Sequence, residues 1–192
     1  MVFYNWHKAE GIESNFRNLL RDQKDLPNLN YLQIGVYTGD ASLWLMRNVL
    51  THETSKLTDV DIWDLPHPDN CPLSDQNWED VEAFYDRQVL PYKHRINKHK
   101  SFSKEWLSNN RSEVYDFIYI DGDHAPEEFT SDAELSWGLL KVGGIMAIDD
   151  YEWHHPMGPH LDPKDAIDSF VNSHTCEVLI KNWQVWIRKT GE

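Results

Sequence analysis

The feature that most limits how this chain can fold is an alternation of short apolar segments with longer amphipathic ones. Short apolar runs bounded by turn residues predict buried strands, and apolar side chains that recur every three or four residues predict helices. Strands that alternate with helices are typical of a parallel sheet covered on both faces. The sequence therefore predicts an α/β, doubly wound, mostly parallel sheet within a single domain, residues 1–192.

The predicted elements follow one another along the whole chain. Strands are expected at Tyr31–Val36, Lys56–Ile62, Ile96–His99, Val114–Ile120, Ile145–Ile148, Glu177–Lys181 and Gln184–Arg188. Helices are expected at Gly11–Arg21, Asp40–Leu50, Trp78–Leu90, Ser103–Asn109, from Pro126 to about Leu140, and from Pro163 onward. The run Val142-Gly143-Gly144 predicts a turn before the fifth strand, Leu65–Gln76 predicts a loop, and the last two strands predict an antiparallel hairpin that turns at Asn182.

The charge and hydropathy of the chain limit the kinds of molecule that it is expected to bind. The chain has 32 Asp and Glu against 18 Lys and Arg, a formal net charge of -14, which repels polyphosphate backbones. We therefore expect a small-molecule substrate and no nucleic acid. No apolar run reaches the roughly 20 residues that a membrane span needs, and the first ten residues have no apolar signal core. These features predict a cytoplasmic protein without membrane association.

A glycine-bearing turn follows the first predicted strand in the sequence QIGVYTG, from Gln33 to Gly39. Glycine allows a backbone to approach a ligand closely. The spacing is GxxxG, however, and it lacks the glycine that admits a pyrophosphate in the GxGxxG of dinucleotide-binding proteins. By itself the motif fits an ordinary strand-to-helix turn equally well.

An aspartate stands at the end of the second predicted strand. A carboxylate in that position can accept hydrogen bonds from both hydroxyls of a ribose. Two residues, Asp59 and Asp61, compete for this role, because alternation along a strand places both on one face. Asp61 is preferred because it lies nearer the carboxyl edge of the sheet.

The strongest signal is a set of carboxylates that follow two apolar strands. Asp121 ends the fourth strand, and Asp149 and Asp150 end the fifth. The carboxyl ends of parallel strands meet at one edge of the sheet, so these three groups would repel one another unless a cation offset their charge. Ligands that are all oxygen suit Mg²⁺ or a similar hard cation.

A histidine, His124, follows Asp121 by three residues. Its ordinary pKa near 6.5 suits a proton acceptor at neutral pH, which makes it the candidate general base. A structural interpretation also stays open: Asp-Gly-Asp-His can form a turn in which Asp123 caps the helix that begins near Pro126.

The segments YLQIGVYTG, FIYIDGDH, LLKVGG and IMAIDDY, with the strand-end Asp61, resemble the class I S-adenosylmethionine-dependent methyltransferases in order and spacing over about residues 31–151. They are most similar to the cation-dependent O-methyltransferases of catechols and macrolide sugars. The resemblance implies a seven-stranded Rossmann-like fold and an O-methyltransferase activity. It also implies S-adenosylmethionine and Mg²⁺, or a similar divalent cation, as cofactors.

The resemblance also implies roles for individual residues. Cofactor-binding residues would be Gln33, Gly35, Tyr37, Thr38, Gly39, Asp61, Ile62, Ser103, Lys104 and Asp121. Metal ligands would be Asp121, Asp149 and Asp150, and His124 would be the catalytic base. The catechol enzymes have lysine at that last position and the macrolide-sugar enzymes have histidine, which favours a sugar or polyol hydroxyl as acceptor. Gln33 departs from the acid that many members carry.

Other interpretations stay open at this point. Trp153, His154 and His155 are expected to contact substrate, although for Trp153 ordinary packing is the slightly favoured alternative. A metal-dependent hydrolase could use the same carboxylates, and a non-catalytic binding protein could use the same scaffold. Assembly into a homo-oligomer is a further option that the sequence leaves open.

Overall fold

A computed structural model describes residues 11–64, 76–112, 114–155 and 158–192. The strands in these ranges are β1 (Asn30–Ile34), β2 (Lys56–Asp61), β3 (Ile96–Lys100), β4 (Tyr115–Ile120), β5 (Leu140–Ile148), β6 (Cys176–Lys181) and β7 (Val185–Lys189). The α-helices are α1 (Ile12–Leu19), α2 (Asp40–Asn48), α3 (Trp78–Val89), α4 (Ser103–Asn109), α5 (Pro126–Trp137) and α6 (Lys164–Ser173). Most of the predicted loop Leu65–Gln76 lies outside the described residues.

The strands form one sheet in the order β3-β2-β1-β4-β5-β7-β6. The first five strands pair in parallel, and β7 pairs antiparallel with both β5 and β6. This arrangement confirms the predicted doubly wound, mostly parallel sheet and its antiparallel terminal hairpin. The order of the strands reverses between β1 and β4, and ligands of open α/β sheets bind in the crevice at such a point.

Side chains along each strand point alternately to the two faces of the sheet, and each face carries its own hydrophobic core. In β4, Phe117 and Tyr119 pack on one face among residues of α1, α2 and α3. Ile118 and Ile120 pack on the other face among residues of α4, α5 and α6. Burial on both faces explains why β4 reads as a continuous apolar run.

The largest difference from the sequence prediction lies at the start of β5. Helix α5 ends at Trp137 and does not reach Leu140, so the predicted end of this helix is wrong. The strand already begins at Leu140, and the predicted turn at Val142-Gly143-Gly144 is an irregularity within it. Gly143 has a φ of +87°, which a glycine adopts without strain and which lets the extra residues bulge out of the ladder.

Two smaller corrections concern helix ends. Helix α1 spans Ile12–Leu19, shorter than the predicted Gly11–Arg21, and α2 ends at Asn48 before Leu50. Helix ends fray, and one or two residues at each end depend on contacts that a sequence pattern does not show. Among the described residues, no helix is both long enough and apolar enough to cross a membrane.

Candidate active site

The candidate site lies where β1, β2, β4 and β5 end. Three backbone hydrogen bonds continue the ladders just past the strands: Gly35 N–H donates to Val60, Asp121 N–H to Ile34, and Asp149 N–H to Ile120, at 2.8–3.0 Å. These bonds align the four strand ends. The predicted residues that follow the strands therefore meet at a single edge of the sheet.

Two glycines shape the turn after β1. Gly35 has a φ of +78°, and a Cβ added to it would lie 2.0 Å from the carbonyl oxygen of Asp121. Gly39 has a φ of +82°, and its Cβ would lie 2.6 Å from the ring of Tyr85 in α3. In the structure, contacts within the protein already require both glycines, and no ligand is needed to explain them.

Side chains around the turn hold its backbone in place. Gln33 is buried; its Nε2 donates to the carbonyl of Gly35 at 2.9 Å, and its Oε1 accepts from Ser42 at 3.1 Å. Thr38 is also buried, and its hydroxyl donates to Asp40 at 3.3 Å. Gln33 therefore acts as a structural amide within this turn.

Asp61 binds the same turn through backbone amides. Its Oδ2 accepts from the N–H groups of Val36 at 2.7 Å and Tyr37 at 2.9 Å, and its Oδ1 accepts from Trp63 N–H at 2.7 Å. A carboxylate offers about four acceptor sites. One acceptor site therefore remains for a ligand hydroxyl.

Asp59, the rival on the same strand, is fully buried behind Asp61. Burial raises its pKa to about 7, the hydroxyls of Tyr85 and Ser42 offset part of that rise, and the charge of Asp61 adds to it. The Tyr85 hydroxyl donates to Asp59 Oδ2 at 2.8 Å. Asp59 is thus enclosed in the core, and Asp61 alone of the two lies at the edge of the sheet.

A cleft of about 540 Å³ opens beside Asp61 between the ends of β2 and β3. Its lining residues are Ile62, Asp64, Lys100, Ser101, Phe102 and Glu105. Ile62 was predicted to lie at this place, whereas Ser103 hydrogen-bonds to Asp132 and Lys104 is exposed. Phe102, 60% exposed, is a residue that sequence reasoning missed. An aromatic residue just before a polar helix start was the available signal.

A compact group of ligating atoms lies at the ends of β4 and β5. Asp121, His124 and Asp150 each offer one such atom, and these atoms lie within 4.8 Å of one another. His124 Nε2 lies 2.8 Å from Asp150 Oδ2. Asp150 has a φ of +56°, a left-handed conformation that aspartate tolerates better than most residues. The donor set of two carboxylates and one imidazole can hold a divalent cation.

Asp149, the third predicted ligand, stands apart from this group. Its Oδ2 accepts a hydrogen bond from the hydroxyl of Tyr119, and its Oδ1 accepts from the backbone N–H of Asp150 at 2.9 Å. The Tyr119 hydroxyl also lies 3.1 Å from Asp121 Oδ2. The structure therefore places Asp149 beside Asp121 but turns its carboxylate toward Tyr119.

The electrostatics of the cluster favour a positive ion. Burial and the charges of Asp149 and Asp150 raise the pKa of Asp121 well above its ordinary value. Burial and Asp150 raise the pKa of Asp149 to about 6. Burial alone would lower the pKa of His124, but the hydrogen bond and charge of Asp150 outweigh it and the pKa rises. The carboxylates destabilise one another, and a cation between them would relieve that repulsion.

Asp123 has a local structural role. Its Oδ1 accepts from the N–H of Ala125 at 2.9 Å, which closes the turn before α5. The residue at the start of that helix is Ala125, and no side chain caps it. The structural interpretation of Asp123 is thus close to correct, although the residue holds a turn and does not cap the helix.

The segment after β5 forms a wall beside His124. The ring of Trp153 lies 5.5 Å from that of His124 and 5.2 Å from that of His155. Asp162 fixes the segment, because it accepts from the backbone N–H of His155 at 2.7 Å and binds His154 Nδ1 at 2.8 Å. Trp153 is therefore held at the mouth of the site.

A protein-family match and a curated relative both indicate a methyltransferase. A sequence model of a family described as a methyltransferase domain matches residues 32–151, more than half of the chain. A Dictyostelium discoideum protein named "Probable caffeoyl-CoA O-methyltransferase 3" is 27% identical over 142 residues, which are 74% of this chain and 51% of that protein. The chain thus spans about half the length of this curated relative.

Solved structures share the fold at low sequence identity. An rRNA methylase from Streptococcus thermophilus matches with a TM-score of 0.62 and 13% identity, over 100% of this chain and 99% of that one. The MycE methyltransferase of the mycinamycin biosynthetic pathway, in complex with Mg and SAH, matches with a TM-score of 0.64 and 13% identity, over 92% and 49%. At this identity the likeness concerns the fold, which by itself does not separate RNA from small-molecule acceptors.

Proposed function

This chain belongs to the methyltransferase domain family, and on that premise we propose that it transfers a methyl group from S-adenosylmethionine to a hydroxyl of a small molecule, assisted by a divalent cation. One observation carries the proposal. The ligating atoms of Asp121, His124 and Asp150 converge at the sheet edge, beside the turn after β1. Such a convergence at the switch point of an α/β sheet is where a reacting group can be held.

The cofactor would lie along the turn from Gly35 to Gly39 and in the cleft beside it. The remaining acceptor site of Asp61 would receive a ribose hydroxyl, and Ile62 and Phe102 would form apolar walls for the adenine. S-adenosylmethionine supplies the electrophilic methyl group. The task of the protein residues is to hold that methyl group in line with the acceptor oxygen.

The cation would be held by Asp121 and Asp150, with His124 beside them. Oxygen ligands completed by water suit Mg²⁺ or a similar hard ion. A bound divalent cation would orient the acceptor hydroxyl and make it more acidic. Asp149 lies beside this group, with its carboxylate hydrogen-bonded to the hydroxyl of Tyr119.

His124 would remove the proton of the acceptor hydroxyl. Its Nε2 faces Asp150 Oδ2, so a neutral imidazole with its hydrogen on Nε2 leaves Nδ1 as the proton acceptor. The charge of Asp150 would stabilise the imidazolium that forms. A positioned base of this kind contributes about 10²–10⁴-fold to a rate.

The acceptor would be a sugar or polyol that packs its apolar face on Trp153. That ring lies next to His124 at the mouth of the site. The acidic chain, with a formal net charge of -14, favours an uncharged or cationic acceptor over a nucleic acid. The cofactor, cation and acceptor are thus assigned to three adjoining parts of one edge.

The test is a methyl-transfer assay combined with calorimetric titration of S-adenosylmethionine. Sugar, catechol and RNA acceptors are compared in Mg²⁺ and in EDTA. We expect cofactor binding, turnover of a sugar or polyol only with the cation, and a loss of about 100-fold in kcat for His124→Ala with cofactor affinity retained. The control His52→Ala changes a half-buried histidine outside the site.

Three outcomes would contradict parts of the proposal. Failure to bind S-adenosylmethionine, with hydrolysis of an ester in Mg²⁺, would favour a metal-dependent hydrolase. Equal turnover in Mg²⁺ and EDTA would remove the cation from the mechanism. Binding of the cofactor with full biological activity in His124→Ala would favour a non-catalytic binding protein.

A further inference from the structure

A buried tryptophan, Trp63, follows Asp61 by two residues and has an unusual backbone conformation. Its φ is +40°, in the left-handed region, where a bulky aromatic residue is rarely found. The residue is only 1% exposed. Strained backbone of this kind persists only where surrounding contacts require it, and it is common at functional sites. The contacts of Trp63 therefore indicate what this conformation achieves.

Two hydrogen bonds connect Trp63 to two sides of the candidate cofactor site. Its backbone N–H donates to Asp61 Oδ1 at 2.7 Å, at the end of β2. Its indole N–H donates to the carbonyl oxygen of Tyr37, within the turn after β1, at 2.8 Å. One residue thus bonds directly both to the carboxylate proposed to bind the ribose and to the turn proposed to bind the rest of the cofactor.

Ring contacts hold the indole in place. The Trp63 ring lies 4.8 Å from the ring of Tyr85 at an interplanar angle of 44°, and the Lys98 ammonium lies 4.7 Å from the centroid of the indole. Tyr85 also supports the turn, because a Cβ added to Gly39 would lie 2.6 Å from its ring. The two aromatic residues therefore contact the turn after β1 at two points, the Tyr37 carbonyl and Gly39.

We propose that Trp63 is a positioning residue for the cofactor, whose indole N–H fixes the turn after β1 where it meets the amino-acid part of S-adenosylmethionine. This inference rests on the proposed function, because it presumes that the cofactor binds along this turn. The backbone N–H of Trp63 serves the ribose side through Asp61, and the indole serves the turn. Different atoms of one residue thus position different parts of the cofactor, and the two can be tested separately.

The experiment measures the binding of S-adenosylhomocysteine and of adenosine by calorimetry, on the full chain. Trp63→Phe keeps a buried ring and the backbone N–H but removes the indole donor. We expect the affinity for S-adenosylhomocysteine to fall about 10-fold, because one hydrogen bond that fixes the turn is lost. The affinity for adenosine should change by less than about twofold, because the contact with Asp61 stays.

Two further variants make the result specific. Trp186→Phe removes the indole of another buried tryptophan, which donates to Gln184 at 2.9 Å, and should leave both affinities unchanged. Replacement of Trp63 with 3-benzothienylalanine keeps the bicyclic ring and exchanges only its N–H for sulfur. This analogue should show the same selective loss as Trp63→Phe. A role through packing alone predicts instead that the analogue binds both ligands like the unchanged protein.

The outcomes separate this inference from the proposed function. Equal losses for S-adenosylhomocysteine and adenosine, or unchanged binding by the benzothienyl analogue, would overturn the inference and leave the proposed function standing. Because the analogue keeps the packing of the ring, this arm does not depend on the folding of Trp63→Phe. Absence of S-adenosylhomocysteine binding by the unchanged protein would overturn the proposed function itself.

Discussion

The two halves of the carboxyl edge of the sheet accommodate negative charge in different ways. At the end of β2, Asp61 accepts three backbone N–H groups and ties together the turn after β1. At the ends of β4 and β5, Asp121, Asp149 and Asp150 lie close together, and besides burial the charges of neighbouring carboxylates raise the pKa values of Asp121 and Asp149. Backbone amides fix a charge without an ion. The half that has fewer such donors is the half that suits a cation.

Asp59 represents a third way to accommodate a carboxyl group. It lies two residues before Asp61 on the same strand, yet it is fully buried and its pKa is raised to about 7. Near neutral pH a proton, and not an amide or an ion, neutralises it for much of the time. The distance of each aspartate from the carboxyl edge of the sheet therefore decides how its charge is accommodated.

The largest effect is expected from Gly35→Ala, because Gly35 lies in the turn that Asp61 holds and packs closely against Asp121 at the end of β4. The new Cβ would lie 2.0 Å from the Asp121 carbonyl oxygen, at a φ of +78° that alanine rarely adopts. We expect a loss of about 4 kcal/mol or more in the free energy of unfolding, measured by denaturant titration and circular dichroism.

Gly143→Ala is the matched control for this change. Its φ is +87°, but a Cβ there meets nothing within 4 Å. The expected loss is about 1–2 kcal/mol, from backbone conformation alone. Equal losses for the two variants would show that the turn after β1 is not packed against Asp121 as described.

The second prediction concerns pH and Asp59. Its pKa rises from 3.8 unfolded to about 7 folded, so the folded state keeps this proton longer. Stability from this group is fully present below about pH 4 and is lost as pH rises to about 7, a swing of up to about 4 kcal/mol. Asp59→Asn has no proton to lose and should lack this component.

The measurement is the free energy of unfolding of both proteins between pH 4 and pH 8. The difference between them should move in favour of Asp59→Asn as the pH rises. Asp64→Asn, at an exposed position of the same segment, serves as a control for the loss of one charge. A difference that stays constant with pH would mean that Asp59 has an ordinary pKa.

The fold was largely predictable because its signal is local. Apolar runs followed by turn residues or aspartates predicted β1, β2 and β4 and the edge where they meet, and the sheet order confirms this. The family match likewise confirms the methyltransferase prediction. The start of β5 was mispredicted because glycines that suggest a turn lie in a bulge, and only the pairing partner distinguishes the two.

The sequence could not predict in which direction the side chains of the site point. Asp149 and Asp150 are neighbours, and the left-handed φ of Asp150 decides which carboxylate faces His124. Tyr119 stands two residues before Asp121, so a shared face was predictable. Its contact with Asp149, however, depends on the register between β4 and β5.

The third prediction tests the end of β2, where backbone N–H groups hold the charge of Asp61. Asp61→Asn replaces one acceptor oxygen with an NH₂ group that faces backbone N–H donors. We expect a loss of about 2 kcal/mol in stability and a fall of about 10-fold or more in S-adenosylmethionine affinity, since hydrogen bonds to a charged group contribute about 1.5–3 kcal/mol. Calorimetry with and without Mg²⁺ measures the affinity. A loss that Mg²⁺ restores would contradict the separation of the two halves.

The smallest effect is expected in the segment after β5, which lies beside the proposed cation site at the ends of β4 and β5. Asp162 holds His154 and His155, and Asp162→Ala should loosen the segment that carries Trp153 without touching either cofactor. We expect the KM for the acceptor to rise about threefold, with kcat and S-adenosylmethionine affinity unchanged, because only uniform binding is lost. Asp165→Ala, an exposed position at the start of α6, controls for charge. A comparable fall in kcat would mean that this wall helps to place His124, and the cation half would then extend beyond the strand ends.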